Sequence, residues 1–302
     1  MAEREHTTIE AAGREIRLSS PSKVYFPRYD GRGPFTKLDL AEFYLQAAEA
    51  TCRHLRERPT VLKRWRDGIT GDFFFQKRVP PKAPEWLETA TVHFPSGRSA
   101  TELVPNDAAH LIWAVNLSNI DWNPWPARRD DLDHPDELRI DLDPTSGVPW
   151  SQIREVAMGV KELFDEHGVV AYPKTSGSRG IHVYVRIEPR WTFTEVRMAA
   201  LAIAREIERR MPGKATSKWW KEERVGVFLD YNQNARDRTV ASAYSVRPVP
   251  DAKVSTPLTW DEVPDVEPED LRIDTVPERL KTVGDPAATI DDVRHSLEPF
   301  PE

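Results

Sequence analysis

At 302 residues, with 39% apolar and 30% charged positions, the chain can bury a sizeable core, as one large or two intimately joined domains. No 18-residue apolar run is present, the N-terminal MAEREHTTIE has no apolar stretch, and Cys52 is the single cysteine. These features argue against a helical membrane span, a signal peptide, an internal disulfide and a Cys-based zinc site, and favour a reducing cytoplasm. The net charge of −7 is uneven: of this total the segment Trp260–Glu302 carries −9, which leaves +2 for the residues before it. A phosphate backbone senses the local surface, not the global balance.

Residues 1–35 read as one or two short strands and a loop of turn formers, Ser19-Ser20-Pro21-Ser22 and Asp30-Gly31-Arg32-Gly33-Pro34. Thr36, with Asp39 three residues on, predicts the N-cap of a helix running to about Arg58. Its apolar stripe is Leu38, Ala41, Leu45, Ala48, Cys52 and Leu55, so Cys52 is a core residue. Val61 to Lys77 predicts paired strands about Asp67-Gly68. The basic residues Arg53, Arg56, Arg58, Lys63, Arg64 and Arg66 fit a solvated face and a phosphate-binding surface equally well. In Phe73-Phe74-Phe75-Gln76-Lys77, period 2 leaves at least one ring away from the core, where it could stack on a base. Three rings filling the core is the competing reading. Strands follow at 90–94 and 101–104, then a short helix at 108–117 and a Trp- and Pro-rich loop or strand at 118–126.

In Leu138-Arg139-Ile140-Asp141-Leu142-Asp143-Pro144 the apolar residues alternate with charged ones, as in a strand with one buried face. Asp141 and Asp143 then project from one side, about 6–7 Å apart. Carboxylates that close repel unless a proton or a cation sits between them, and Mg²⁺ or Mn²⁺ suits such oxygen ligands. A strand end dissolving into an acidic turn fits the same residues. Ser151 is the expected cap of a second helix, with Ile153, Val156, Val160, Leu163 and Phe164 inward and Gly168 at its end.

A strand at Val169–Tyr172, a turn at 174–180 and a strand Ile181–Ile187 come next, the last placing His182, Tyr184 and Arg186 on one face. In the turn Ser176-Gly177-Ser178-Arg179-Gly180 two glycines let N–H groups face an anion, and Ser176, Ser178 and Arg179 add donors. A plain hairpin turn is the alternative. Thr192 and Glu195 form a capping box for a third helix, ended by Met211-Pro212-Gly213. The strand Val225–Tyr231 carries Asp230, either a third metal ligand or the start of the turn Asn232-Gln233-Asn234. Arg236, Arg238 and Arg247 add positive charge, and the tail after Pro257 is acidic, Pro-rich and weakly helical. Carboxylates, a phosphate-cradling turn and arginines together describe two-metal phosphoryl transfer better than hydrolysis by a nucleophilic side chain.

The segments Ile140–Pro144, Ser176–His182 and Phe228–Asn234 together resemble the three active-site motifs of the archaeo-eukaryotic primase superfamily. Within it, the chain is most similar to the polymerase domain of bacterial DNA ligase D and its stand-alone primase-polymerase relatives. The similarity runs from Ser19-Ser20-Pro21-Ser22-Lys23 to Tyr244-Ser245-Val246-Arg247 and Thr256-Pro257-Leu258-Thr259-Trp260. It implies an α/β (α+β) fold of two packed modules with mixed, largely antiparallel sheets. Residues 1–130 would be mainly DNA-binding and 131–259 mainly catalytic, with 260–302 an acidic tail. The implied activity is template-directed addition of nucleotides, favouring ribonucleotides, at gaps or breaks during end joining, with two Mn²⁺ or Mg²⁺ ions and nucleoside triphosphates.

Carried over residue by residue, the resemblance assigns Asp141, Asp143 and Asp230 to the cations. It assigns Ser176, Gly177, Arg179, Gly180 and His182 to the triphosphate, joined by Arg247, Arg224, Gln233 and Asn123. Lys23 and Lys37 match lysines that grip the 5′-phosphate across a gap. Phe74 and Phe75 match an aromatic pair that stacks on the template, and Arg64 and Lys77 complete the DNA surface. Two positions depart from the pattern: Asn123 replaces a His, and Ser20 replaces an Asn of the phosphate-gripping loop. The expected partners of this monomer are gapped or broken DNA, Ku and a separate ligase, with no ligase or nuclease module in the chain itself. Two other classes share the same residues: a DNA-end-binding module without catalysis, and a metal-dependent phosphoesterase or nuclease.

Overall fold

In the computed structural model, residues 5–94, 96–298 and 300 are described, so the start of the N-terminal segment and the last residues of the tail lie outside the described residues. The chain divides into two units. Met1–Trp125, Val240–Ser255 and Glu269–Gly284 form the first; Pro126–Thr239, Thr256–Pro268 and Asp285–Glu302 form the second. The segment 260–302 is therefore shared between both units. The expected α/β architecture with largely antiparallel sheets is the one observed.

The first unit begins with the hairpin β1 (His6–Ala11) and β2 (Arg14–Ser19), followed by the short pair β3 (Val24–Phe26) and β4 (Phe35–Thr36). Thr36 caps α1 (Lys37–Gln46) in a reciprocal box with Asp39. The helix expected to reach Arg58 breaks at Ala47 and resumes as α2 (Ala48–Leu55). The break rotates the buried face, which becomes Leu40, Ala41, Phe43 and Tyr44, then Ala50, Cys52 and Leu55, while Leu38, Leu45 and Ala48 are only half-buried. Strand β5 (Thr60–Trp65) pairs with β6 (Phe73–Gln76), as the Asp67-Gly68 turn predicts. It also pairs with β8 (Ser99–Leu103), itself paired with β7 (Thr89–His93), and with β9 (Asn119–Pro124). Helix α3 (Ala108–Asn116), capped by Asp107, packs on α1.

The second unit is built on β10 (Glu137–Pro144), the strand of alternating apolar and charged residues. Helix α4 (Trp150–Glu166) starts one residue before Ser151, with Pro149 at the cap position, so Ser151 is not its cap. Strand β11 (Tyr172–Thr175) lies further along than the expected 169–172 and leads through the turn to β12 (Ile181–Arg186). Helix α5 (Phe193–Arg210) carries the expected Thr192/Glu195 capping box. The strands β13 (Ala215–Thr216) and β14 (Val227–Leu229) complete a five-stranded sheet of order β11-β12-β10-β14-β13, antiparallel except for β13 with β14. Strand β14 is shorter than the expected 225–231. Gly226 turns with φ +81° so close to the Lys214 carbonyl that a Cβ there would lie 2.2 Å from its oxygen. Helices α4 and α5 pack on each other and on β10. On the other face the C-terminal segment docks through Asp291, which accepts from the buried Arg186 and from Arg128, each at 2.7 Å. Burial raises the Asp291 carboxyl, but the two guanidinium groups outweigh it and hold it down at about 2.

Candidate active site and nucleic-acid surface

Antiparallel register brings the three carboxylates to one neighbourhood of the second unit. Asp143 lies opposite Phe228 and Leu142 opposite Leu229, so the next residue, Asp230, leaves β14 beside Asp141. Its N–H donates to the Asp141 carbonyl at 2.8 Å. The Asp230 side chain is held from below by the turn it starts: Asn232 N–H donates to Oδ1 at 3.1 Å and Gln233 Nε2 to Oδ2 at 2.8 Å. Asn234, which sequence reasoning passed over, uses its amide like a further strand residue, accepting from Arg139 N and donating to Arg139 O. On the other side of β10, His182 is the cross-strand partner of Asp141, with Nε2 3.3 Å from Oδ1.

Ser176 shapes the turn that follows β11. Its Oγ accepts from the N–H groups of Ser178 and Gly180, and its own N–H donates to the Gly180 carbonyl. Those two amides are engaged inside the turn, so the donor placed outward is the exposed Arg179. Gly177 takes the left-handed conformation the turn needs, at φ +66°. Gly180 presses on β10: a Cβ there would lie 2.3 Å from the Leu142 carbonyl oxygen. Arg224 is anchored within its own loop, donating to the carbonyls of Lys218 and Trp219 with its guanidinium 3.5 Å over the Phe228 ring.

Burial pushes the Asp143 and Asp230 carboxyls above the usual range, and the charge of Asp141 raises both further. Arg179 and Arg224 pull Asp143 part of the way back, as the Gln233 and Asn232 donors do for Asp230. This repulsion among all-oxygen donors is what a hard divalent cation relieves, so the residues fit Mg²⁺ or Mn²⁺. Among the described residues no three His, Cys, Asp or Glu side chains close into a ready-made cage. Ions that share their shell between one or two carboxylates, water and substrate phosphates need none.

The linkage has a definite sign. Folded pKa values above the unfolded ones mean that ionising these carboxylates costs stability as pH rises through the folded values. At pH 7 Asp143→Asn should therefore stabilise the cation-free protein by less than about 1 kcal/mol, read as a small rise in melting temperature, because the carboxyl, though partly desolvated, lies at the surface where solvent screens it. The advantage should vanish in acid, below the unfolded pKa, and added Mn²⁺ should stabilise the wild type more than the variant. A variant that melts below the wild type in calorimetry without cation would contradict this account.

In the first unit the expected DNA-facing residues fall into two sets. Lys23 donates to Asp67 Oδ1 at 2.7 Å and to the Arg66 carbonyl at 2.6 Å. Lys37 is buried, its ammonium enclosed by the backbone carbonyls and side-chain oxygens of Ser19 and Asn116. Burial and then the charges of Lys23 and Arg64 lower its pKa to about 8. Arg64, bonded to the Leu117 carbonyl and to Gln76, is lowered to about 10 by burial and by Arg66. Positive charges gathered this closely make a site for an anion.

The strand alternation of β6 separates the aromatic run. Phe74 lies between the guanidinium groups of Arg64 and Arg66 at 4.8 and 5.1 Å. Phe73 and Phe75, both about half exposed, share the opposite face with Trp65, and Lys63 sits 4.2 Å over the Phe73 ring. Phe74 and Phe75 thus point to different faces. Lys77 is exposed with its ammonium over Phe94. Asn123 is buried, donating to the Asp121 carbonyl, and Arg247 pairs with Asp121 at 3.6 Å. Both belong to the first unit, whereas the carboxylates and the Ser176–His182 turn belong to the second.

Comparison with known proteins adds three findings. The family described as "LigD, primase-polymerase domain" matches residues 36–287. The multifunctional non-homologous end joining protein LigD of Mycolicibacterium smegmatis is 34% identical over 279 residues, covering 91% of this chain and 36% of that protein. Its counterpart in Pseudomonas aeruginosa is 33% identical over 273 residues, covering 89% of this chain and 32% of that protein. The chain thus spans about a third of the length of these curated relatives. Among solved structures, the polymerase domain of Mycobacterium tuberculosis ligase D in complex with DNA aligns with a TM-score of 0.84 at 30% identity, covering 93% of this chain and 99% of that one.

Proposed function

The chain belongs to the LigD primase-polymerase family of nucleotidyltransferases, and from that premise we propose that it extends a DNA 3′-hydroxyl at gaps or breaks, under template control, from nucleoside triphosphates. The observation that carries the reading is the placement of Asp141, Asp143 and Asp230 on adjacent strands, beside the Ser176–His182 turn. Similarity to a polymerase domain in complex with DNA supports DNA as the partner. The relatives' names as end joining proteins support a role at broken ends, where Ku and a ligase activity would be its partners. Among the described residues no helix is long and apolar enough to cross a membrane.

In this reading Asp141, Asp143 and Asp230 hold the two cations. When bound, these lower the pKa of the attacking hydroxyl and neutralise the leaving pyrophosphate. Gln233 and Asn232 fix the Asp230 carboxylate through the bonds described above. Arg179 and His182 bind and orient the triphosphate, and donors already fixed by the fold need no reorganisation when charge develops. The first unit grips DNA: Lys23 and Arg64 take the downstream 5′-phosphate, the charge of the buried Lys37 behind them adds to the attraction, and the rings of β6 stack on bases.

Primer extension on gapped DNA with each ribo- and deoxyribonucleotide, under Mg²⁺ and then Mn²⁺, tests the reading. The expected result is templated extension, better with ribonucleotides and with Mn²⁺. Salt-sensitive binding with no incorporation would leave only a DNA-end-binding module, and shortening of the DNA without nucleotide would indicate a nuclease.

The 5′-phosphate site makes its own prediction. Lys23→Ala should weaken binding of 5′-phosphorylated gaps by about tenfold, the scale of one charge-assisted hydrogen bond, and leave 5′-hydroxyl gaps nearly unchanged. Because Lys37 is lowered to about 8, it sheds its proton between pH 7 and 9. The increment in affinity due to the 5′-phosphate should fall over that range, as read by fluorescence anisotropy. An equal loss on both DNAs would remove Lys23 from this role.

A further inference from the structure

Strand register lays three polar side chains in one row across the second unit's sheet. Lys174 in β11 is the cross-strand partner of His182 in β12, and His182 is the partner of Asp141 in β10. Lys174 is 2% exposed and His182 5%. Lys174 Nζ lies 2.9 Å from His182 Nδ1, and His182 Nε2 lies 3.3 Å from Asp141 Oδ1. The imidazole stacks on Tyr184 at an interplanar angle of 21°, and the Lys174 ammonium sits 5.0 Å over the same ring. Plane and neighbours of the imidazole are thereby fixed.

An ammonium has only N–H groups to offer, so the ring nitrogen facing it must accept. A carboxylate has only lone pairs to offer, so the nitrogen facing it must carry the hydrogen. One form satisfies both, the neutral imidazole with its hydrogen on Nε2. The other tautomer sets N–H against ammonium and lone pair against carboxylate, and is wrong at both ends. The hydrogen bond at one ring nitrogen decides which proton the other carries.

We propose that Lys174 is a positioning residue for nucleotide binding: it holds His182 as the Nε2–H tautomer, with that hydrogen turned to the edge occupied by Asp141. The inference rests on the reading of His182 as a triphosphate ligand. A phosphate oxygen arriving at that edge meets a hydrogen already in place, with no ring flip and no tautomer exchange. The burial of Lys174 has a reason in this arrangement. An exposed lysine would be free to leave Nδ1, whereas one packed under Tyr184 is not.

The first test needs no variant. In protein labelled with ¹⁵N-histidine, without cation or nucleotide, two-bond ¹H–¹⁵N correlation should show the His182 signal with Nδ1 unprotonated and Nε2 protonated. The signal is assigned by its absence in His182→Gln. A hydrogen on Nδ1 in the wild type overturns the proposal. Lys174→Met keeps the stem and removes the ammonium; the tautomer should become mixed, and KM for the nucleotide should rise about tenfold, with a smaller change in kcat. Lys174→Arg, which keeps a cation, should recover most of the loss. In a His182→Ala background Lys174→Met should add less than about twofold, since a residue that acts through another loses its effect when that residue is gone. The full loss in that background would show Lys174 acting on its own and would overturn the proposal. An unshifted tautomer in Lys174→Met overturns the positioning by Lys174. A shifted tautomer with unchanged KM overturns instead the nucleotide role, and with it the reading of His182.

Discussion

Asp141→Ala is expected to lower single-turnover extension by a factor of about a thousand or more, several kcal/mol of lost charge stabilisation, while affinity for gapped DNA stays within about twofold. Asp141 is the carboxylate that the other elements of the site converge on. Its backbone carbonyl holds Asp230, its side chain faces His182, and its charge is what raises both Asp143 and Asp230 after burial. Removing it takes away a cation ligand and the acceptor that faces His182 Nε2 together. The cationic residues proposed to grip DNA belong to the other unit, so binding and chemistry should separate cleanly. Anisotropy and quenched extension on the same preparation measure both. Robust synthesis by Asp141→Ala under Mn²⁺ would end the metal assignment.

Gly180→Ala should be nearly as damaging, through geometry alone. A carbon 2.3 Å from the Leu142 carbonyl oxygen is far inside contact distance. The obstacle is backbone in the strand that carries Asp141 and Asp143, so it cannot swing aside as a side chain would. The turn and β10 must move apart by about 1 Å, and a displacement of that size between reacting groups costs on the order of a hundredfold in rate. The defect should appear in kcat/KM for the nucleotide, with the melting temperature lowered and the 5′-phosphate dependence of DNA binding intact. Wild-type kcat/KM in this variant would mean that the turn does not position the triphosphate.

What could be read from the sequence was local. The capping boxes at Thr36 and Thr192 and the alternation of Leu138 to Asp143 are short-range patterns whose physics is complete within a few residues. The three motifs proposed to form the active site were legible because each is a continuous stretch. The break at Ala47 was not, since α1 and α2 each follow their own packing and no Gly or Pro marks the join. Gly226 shortened β14 for a reason held by Lys214, a residue twelve positions away in another strand's approach. Lys174 fell inside an expected turn because β11 was read three residues too early, which hid its place opposite His182. Asp291 looked like one acid among many in the tail, and only its partners Arg186 and Arg128, more than a hundred residues earlier, reveal it as a structural clamp.

The ion pair between Lys23 and Asp67 bears on how the DNA contact proposed for Lys23 should be measured. A lysine free in solution keeps mobile anions near it, and a nucleic acid keeps condensed cations; contact releases them, and the salt slope counts what was released. Lys23 instead carries its counter-charge on a tether, supplied by its own chain at 2.7 Å. A phosphate that takes the place of Asp67 exchanges one fixed anion for another, so no mobile anion leaves Lys23. That contact adds less to the salt slope than an unpaired lysine would. If Lys23 makes the contact proposed for it, a phosphate count taken from salt titration alone should come out low.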